Sequence, residues 1–499
     1  MKANKFYITT SIPYLNAPPH LGFALEAIQA DVIARYHKII KEDVFFLSGS
    51  DEHGVKIARS AESAGKEPKK FADLHVLLFL ELLEKLGISN DDFIRTSDQV
   101  RHWPGAQKLW NKMKDKSDIY KGFYKGLYCV GHEAFITDKD LENGKCKLHK
   151  KEPEQIEEEN YFFRLSKYAK KVKELIEKDE IKILPEFRKQ EILNMLDDVE
   201  DISFSRPSKD LSWGIPVPGD ATQTMYVWCD ALSNYITALG YGSKEEREDG
   251  RFTRYWPADI HVIGKDIIKF HAVFWPAMLL SAEISLPKNI FIHGFINNKG
   301  EKMSKSLGNV VDPFPLIEKY GKDAVRFYLL HEVSTFGDSD YSEEHFHDVY
   351  EGLLVSRLGN LVSRVGKMIQ NIGGKIEENM SQEKLILEID KIRYKYNEFM
   401  KNYEIGEAIK LVWSFIQGCD EYIEKNKVYK LIKENEDESK KYLWQLTYSI
   451  VFVSQMIEPF MPETSENILK IFNVNNRNKD GSKKFEIGEI VHLFPRIER

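Results

Sequence analysis

Through the first three hundred residues apolar positions gather in short runs bounded by polar turns; beyond about residue 345 they fall on helical spacings. Phe6-Tyr7-Ile8-Thr9-Thr10 reads as a strand, ended by Pro13 and the turn-forming Asn16-Ala17-Pro18-Pro19. A helix is predicted from near His20, with Leu21, Ala24, Ala27, Ile28, Val32 and Ile39 on its apolar face and prolines at its entry. Val44-Phe45-Phe46-Leu47 reads as a second, fully buried strand, followed by Gly49-Ser50-Asp51-Glu52-His53-Gly54. Strand, helix and strand within fifty residues open a parallel α/β unit, whose strand ends are where open sheets place ligands. Residues 118 to 160 differ: two Gly-rich turns, paired Cys and His, and the acidic run Glu152 to Glu159 predict a small insertion with little core of its own. The strand and helix pattern resumes by Tyr226, with Ile260-His261-Val262-Ile263 and Ile290-Phe291-Ile292-His293 as further buried strands. Ile405, Ala408, Ile409, Val412, Phe415, Ile416, Cys419, Tyr422 and Ile423 form one amphipathic stripe, and Leu443, Leu446, Ile450, Val453 and Ile457 form another. Val491-His492-Leu493-Phe494-Pro495 is expected to pack back on the body. The expected divisions are 1–117 and 226–345 as two halves of an α/β body, 118–225 as a connective insertion, and 346–499 as a helical domain.

A chain of 499 residues is too long for one core and, at roughly 150 residues per domain, fits about three. The balance of 71 basic against 78 acidic side chains excludes a polybasic coat protein for nucleic acid and leaves room for a local basic groove. Four cysteines cannot form a disulfide scaffold, so a reducing compartment is the expected home. The amino terminus lacks the apolar core of a secretory signal, and Arg251, Arg254 and Asp259 interrupt even the aromatic-rich middle, so no membrane span is expected. These features together describe a multidomain cytoplasmic enzyme.

Two short motifs carry most of the chemistry. Pro19-His20-Leu21-Gly22-Phe23 follows a strand at a helix start, where an imidazole and exposed backbone N–H groups suit phosphate and Gly22 admits a nucleotide close to the backbone. Lys302-Met303-Ser304-Lys305-Ser306 lies in the polar loop after the 290–296 strand, behind Asn298-Lys299-Gly300. Two lysines and two hydroxyls on a Gly-flanked loop suit triphosphate oxygens. A surface histidine with a packing glycine, and a solvated basic loop, are the plain alternatives for each motif taken alone.

The pair resembles the His-Ile-Gly-His and Lys-Met-Ser-Lys-Ser signatures of class I aminoacyl-tRNA synthetases, and from Phe6 to about Glu498 the chain is similar to their bacterial methionyl family. The second signature matches letter for letter; the first has Leu21 for Ile and Phe23 for its second His. The resemblance implies a doubly wound, Rossmann-type nucleotide-binding sheet with an inserted zinc-knuckle subdomain and a C-terminal helical anticodon-binding domain. It implies a ligase that uses ATP with Mg²⁺ to form methionyl-adenylate and pyrophosphate, then esterifies the terminal adenosine of methionine tRNA. In such a reaction the amino acid carboxylate attacks the α-phosphorus, so the protein positions reactants and neutralises charge. Lys302 and Lys305 are expected at the β- and γ-phosphates and His20 near the α-phosphate. Gly22, Phe23, Gly264, Asp266, His293, Ser304 and Ser306 complete the ATP side, with Phe23 expected to stack near the nucleotide.

Aromatics with a few polar partners around Tyr226–Tyr235 and Ile263–Trp275 suit a thioether, since sulfur packs well against ring edges. By resemblance Ile12, Trp228, Ala231, Tyr235, Ile267, Phe270, His271 and Trp275 line the side-chain pocket, Asp51 holds the ammonium, and Tyr14 lies nearby; Phe274 is expected in the core. Cys129-Val130-Gly131-His132 and Cys146-Lys147-Leu148-His149 supply two thiolates and two imidazoles, enough for a structural tetrahedral Zn²⁺. Asn360 and Arg364 stand four apart on one helix face, suited to a base edge and its phosphate. The resemblance places them at the anticodon with Tyr429, where the family more often has a tryptophan platform. Expected partners are methionine tRNA, L-methionine and ATP, without DNA or membrane, and a monomer is expected.

The nearest rival readings are class I enzymes for leucine, isoleucine, valine or cysteine. Only 282 positions separate His20 from Lys302, little room for the editing insertion of the branched-chain enzymes. A nucleotidylyltransferase, or a synthetase-like nucleotide- or tRNA-binding protein without aminoacylation, is the reading from another class.

Overall fold

The computed structural model describes residues 4–131, 134–136, 140–147, 150–243, 250–298, 300–303, 309–378, 384–473 and 484–498. His132, His149, Ser304, Lys305 and Ser306 lie outside the described residues. The chain divides into two compact units: Met1–Pro19, His37–Glu84 and Ser89–His293 form the first, and His20–Tyr36, Lys85–Ile88 and Gly294–Arg499 the second.

In the first unit, six parallel strands lie in the order Asp92–Arg95, Asp43–Ser50, Lys5–Thr10, Ile260–Gly264, Asn289–His293, Lys182–Leu184. Ile8 sits between Phe46 and Ile260 in register, and all three are fully buried. Their near-continuous apolar runs are what a parallel sheet needs, because both of its faces are covered. Strand ends are pinned by buried charge. The Asp259 carboxylate accepts from the Tyr7 backbone N–H at 2.8 Å and from Lys288 Nζ at 2.7 Å, and Lys5 stands 3.0 Å away.

The insertion is a four-stranded antiparallel sheet built on one long ladder, Ile119–Cys129 against Glu154–Phe163, in register from Ile119↔Phe163 to Tyr128↔Glu154. The expectation of a core-poor insertion holds at one end only. Ile119 and Phe163 belong to the main core, whereas the far end has a satellite cluster of Cys129, Ile136 and Cys146.

The second unit is mostly helical. The two stripes read from the sequence are the helices Ile405–Asn426 and Glu436–Ile457, and the stripe positions are buried except for Tyr422, which is half-buried. Between Ile405–Asn426 and the next helix, Val428–Glu434, Lys427 takes a left-handed conformation at φ 46°. The tail packs as expected: Phe494 is buried edge-on to Tyr350, whose hydroxyl donates to the Pro495 carbonyl at 2.7 Å. Among the described residues no helix is long and apolar enough to cross a membrane.

One buried ion pair organises this unit. Arg326 and Asp31 have fully buried side chains 2.8 Å apart. Arg326 also donates to the carbonyls of Phe460 at 2.7 Å, Pro459 at 2.8 Å and Leu86 at 3.3 Å, while Asp31 accepts from Arg35 Nε at 2.7 Å. Removing Arg326 takes the buried cationic partner from Asp31, which keeps Arg35, and leaves three carbonyls without that donor in low dielectric. Arg326→Met is therefore expected to destabilise the unit by about 3 kcal/mol, with much of the loss recovered in Arg326→Met/Asp31→Asn. Denaturant unfolding of the single and double variants checks this.

Candidate functional site

Strand order reverses beside Lys5–Thr10, with Asp43–Ser50 on one side and Ile260–Gly264 on the other. Open α/β sheets bind ligands at such a reversal, outside the carboxyl ends of the strands. The Ser11 N–H still donates to the Val262 carbonyl at 2.9 Å. The chain then carries Ile12 and Tyr14 toward Asp51, whose N–H donates to the Pro13 carbonyl at 2.9 Å and whose carbonyl accepts from Leu15 at 3.2 Å. Gly49 makes this approach possible. A Cβ there would lie 2.4 Å from the Ile94 carbonyl oxygen and 2.8 Å from Ile12 Cγ2.

The turn after Asp51 is clamped through its neighbour. Glu52 is fully buried and accepts from Arg95 in a fork, Nε to Oε1 at 2.6 Å and Nη2 to Oε2 at 2.8 Å, and from the hydroxyls of Ser50 and Ser97. The Glu52 carbonyl accepts from Trp213 Nε1. Asp51 itself is largely enclosed, 7% exposed.

Two further elements carry the expected side-chain residues. The helix Val227–Thr237 carries Trp228, Ala231 and Tyr235, and a π-helical turn, Phe270–Phe274, carries Phe270 and His271 and leads into Trp275. The extra residue per turn of a π-helix re-aims side chains, which is why such turns occur at sites. Trp228 stacks on Phe270 at 3.6 Å between ring centroids and 6° between planes. Tyr235 donates from its hydroxyl to His271 Nε2 at 2.7 Å, and His271 Nδ1–H donates to the Ile267 carbonyl at 3.0 Å. The carbonyl can only accept, so the His271 proton lies on Nδ1, and in the neutral ring Nε2 is the acceptor for Tyr235. The Tyr235 ring lies 6.0 Å from Trp275, and its carbonyl accepts from the buried Tyr7 hydroxyl at 2.7 Å. Phe274 is core, as expected. Gly264, Asp266 and His293 also come together: a Cβ on Gly264 would sit 2.9 Å from Asp266 Oδ1 and 3.6 Å from His293 Cε1.

In the second unit the Gly22 N–H donates to His20 Nδ1 at 3.0 Å, so the His20 ring carries its proton on Nε2, as a donor suited to an anion. A Cβ on Gly22 would stand 2.8 Å from that ring, which explains glycine here. Phe23 is buried, 8% exposed. Lys302 pairs with Asn297 in a short hairpin, Ile296–Asn298 against Glu301–Lys302, so the signature begins on a strand rather than wholly in a loop. Farther along, the Arg364 guanidinium lies 5.4 Å from the Tyr429 ring centroid and donates to Glu424 at 2.6 Å, with the exposed Asn360 one turn before it. Burial pushes the nearby Asp420 carboxyl up to about 6, against the pull of Arg364 and Arg357.

Cys129 and Cys146 are buried in one cluster, which suits a shared metal; their two histidine partners lie outside the described residues. Among the described residues no group of three or more His, Cys, Asp or Glu is placed to hold a metal ion.

Sequence reasoning missed the buried polar groups behind the pocket. Asp230 accepts from His53 Nδ1 at 2.6 Å and from His102 Nε2 at 2.7 Å, and His102 Nδ1 meets Thr237 Oγ1 at 2.8 Å. Burial works to raise the Asp230 pKa, but the two imidazoles outweigh it and hold the carboxyl below its usual range. These partners are 177 and 128 residues apart, so no local spacing announces them. His261, under the Tyr235 ring at 4.3 Å, meets Thr9 Oγ1 at 2.8 Å. Burial, with a smaller contribution from His271, holds its imidazole well below the ordinary range.

Comparison with known proteins follows this geometry. The family model described as tRNA synthetases class I (M) matches residues 6–141 and 136–366, and that of the anticodon-binding domain of tRNA ligase matches 382–497. A methionine–tRNA ligase of Thermotoga maritima is 40% identical over 477 residues, covering 93% of this chain and 75% of that protein. One from Brucella suis is 40% identical over 484 residues, covering 95% and 93%. Among solved structures, Mycobacterium tuberculosis methionyl-tRNA synthetase with methionyl-adenylate superposes with a TM-score of 0.93 at 35% identity, covering 99% of this chain and 100% of that one. Its free form gives 0.86 at 32% identity, covering 100% and 99%.

The buried His261 sets a pH dependence. Below about pH 6.5 the unfolded chain protonates this ring and the folded chain does not, so stability from this site is complete above 6.5 and falls by about 1.4 kcal/mol per unit below it. Calorimetric melting between pH 5 and 7 is expected to show a shallower loss for His261→Gln than for the parent. Equal slopes would mean that the buried ring takes up its proton in the folded state.

Proposed function

We infer the function from the premise that the chain belongs to the methionyl family of class I tRNA synthetases: it is an enzyme, a methionine–tRNA ligase. It activates methionine with ATP and transfers the methionyl group to methionine tRNA. The observation in this chain that carries the amino acid assignment is the pocket wall: the Trp228–Phe270 stack and the neutral Tyr235–His271 pair. An apolar slot with ring edges and one neutral polar corner favours a thioether over a charged side chain.

In the proposed mechanism Asp51 fixes the ammonium, and Ile12, Tyr14, Ala231, Ile267 and Trp275 shape the rest of the slot. ATP enters with Mg²⁺ as its substrate complex. Gly264, Asp266 and His293 take the nucleotide side, with Gly22, Phe23, Ser304 and Ser306. His20, donating from Nε2, steadies the α-phosphate, and Lys302 and Lys305 neutralise the β- and γ-phosphates as pyrophosphate leaves. The carboxylate oxygen attacks the α-phosphorus and the bond to the bridging oxygen breaks; the terminal adenosine hydroxyl of the tRNA then displaces AMP from the mixed anhydride. Arg364 and Asn360 read the anticodon, with Tyr429 as a stacking platform. A structural zinc held by Cys129, Cys146, His132 and His149 fits two thiols buried together, and would staple the far end of the insertion without taking part in the chemistry. The proposed acting unit is a monomer in the cytoplasm.

The decisive experiment is ATP–pyrophosphate exchange with methionine, leucine, isoleucine, valine and cysteine supplied separately. Exchange with methionine alone is expected; exchange with none would remove the activation step. Tyr235→Phe is expected to raise KM for methionine about tenfold, the size of one buried hydrogen bond to a neutral partner, with a smaller effect on KM for ATP. Arg364→Ala and Tyr429→Ala are expected to lower kcat/KM for tRNA aminoacylation by tenfold or more, and to affect exchange much less.

A further inference from the structure

We propose that His53 is a positioning residue for the ammonium of the bound amino acid, acting through its Nδ1 bond to Asp230 to hold the Asp51 turn against the pocket helix. The inference rests on the assignment of Asp51 to the substrate ammonium.

Asp51 and His53 share one short turn, in which the His53 N–H also reaches back to Asp51 Oδ1 at 3.5 Å. Asp230 stands on the helix Val227–Thr237, between Trp228 and Ala231 on the pocket wall. The 2.6 Å bond between His53 Nδ1 and Asp230 therefore joins the element proposed to bind the ammonium to the element proposed to bind the side chain. His102 fixes the other oxygen of the same carboxylate at 2.7 Å and is itself held by Thr237 of that helix at 2.8 Å. Asp230 thus has one rigid partner on each oxygen.

The role is more than filling space. His53 is 1% exposed, and its Nε2 has no hydrogen-bond partner. The ring instead meets Trp213 edge-on at 5.0 Å and Trp103 at 6.0 Å. Burying an unpartnered ring nitrogen is unfavourable, and an apolar residue would pack between two tryptophans without that penalty. The polar contact that sets a histidine apart here is the bond to Asp230. The turn has a separate clamp, the Arg95–Glu52 fork, so His53 is not needed merely to hold it closed. It is needed to set where the turn stands relative to Asp230.

The test compares inhibition of methionine-dependent exchange by two analogues. Methioninol keeps the ammonium and lacks the carboxylate; 4-(methylthio)butanoate keeps the carboxylate and thioether and lacks the ammonium. In His53→Ala, Ki for methioninol is expected to rise about ten- to a hundredfold while Ki for 4-(methylthio)butanoate stays within about threefold. His53→Gln, whose amide reaches toward Nε2 rather than Nδ1, is expected to behave like alanine and supplies the comparison should the alanine variant fail to fold. In His53→Asn an amide N–H occupies the Nδ1 position, and the methioninol constant is expected to return to within about fivefold of the parent. Equal rises for both analogues would show a loosened pocket and overturn the proposal, as would no rise in either or no recovery in the asparagine variant. A parent protein without methionine-dependent exchange would instead overturn the functional reading itself.

Discussion

The pairing of Lys5–Thr10 with strands from both directions of the chain is the constraint on which the catalytic architecture depends. Its neighbours, Asp43–Ser50 and Ile260–Gly264, run parallel to it, so all three carboxyl ends emerge on one edge of the sheet. Beyond those ends the continuations of Lys5–Thr10 and Asp43–Ser50 meet again at Tyr14 and Asp51, and Gly264 ends Ile260–Gly264 beside Asp266 and His293. Ligand binding at that edge follows from strand order before any side chain is specified. What the side chains decide is which ligand.

Buried carboxylates then fix the positions of the elements around that edge. Asp259 ties the start of the sheet through the Tyr7 N–H and two lysines; Glu52 holds the turn after Asp43–Ser50 through the Arg95 fork; Asp230, on the helix Val227–Thr237, is tied to that turn through His53 and to the start of Trp103–Asp115 through His102. In the second unit Asp31 does the same between Arg35 and Arg326. Such groups add little net stability over an apolar replacement, because desolvation offsets most of the attraction. They do penalise every arrangement in which the partners are misaligned. In a site proposed to hold an ammonium and a thioether, that penalty is useful.

The pocket wall applies the same logic with neutral groups. Tyr235 and His271 satisfy each other, with the Ile267 carbonyl as the third member, so the polar corner needs no carboxylate or cationic partner from outside. The π-helical turn carries both Phe270, stacked on Trp228, and His271, bonded to Tyr235.

Much of this was legible along the chain. Short apolar runs between turns determined four of the six parallel strands, not the short outer ones Asp92–Arg95 and Lys182–Leu184, and the 3.6-residue stripes determined the helices Ile405–Asn426 and Glu436–Ile457, because burial of one face imposes a period that local sequence must carry. The two signature motifs, the aromatic cluster and the Asn360–Arg364 pair were also visible, since each is compact or falls at a recognisable spacing; the contact of Arg364 with Tyr429 was not. The sequence could not disclose the ring of His53, His102 and Asp230, the fork between Arg95 and Glu52, or the neutral His261 beneath Tyr235. Their partners are separated by tens to hundreds of residues, and a histidine or carboxylate reads alike whether it is solvated or buried. Only the tertiary structure, by removing water and bringing those residues within hydrogen-bonding distance, decided which of these polar groups were committed to one another.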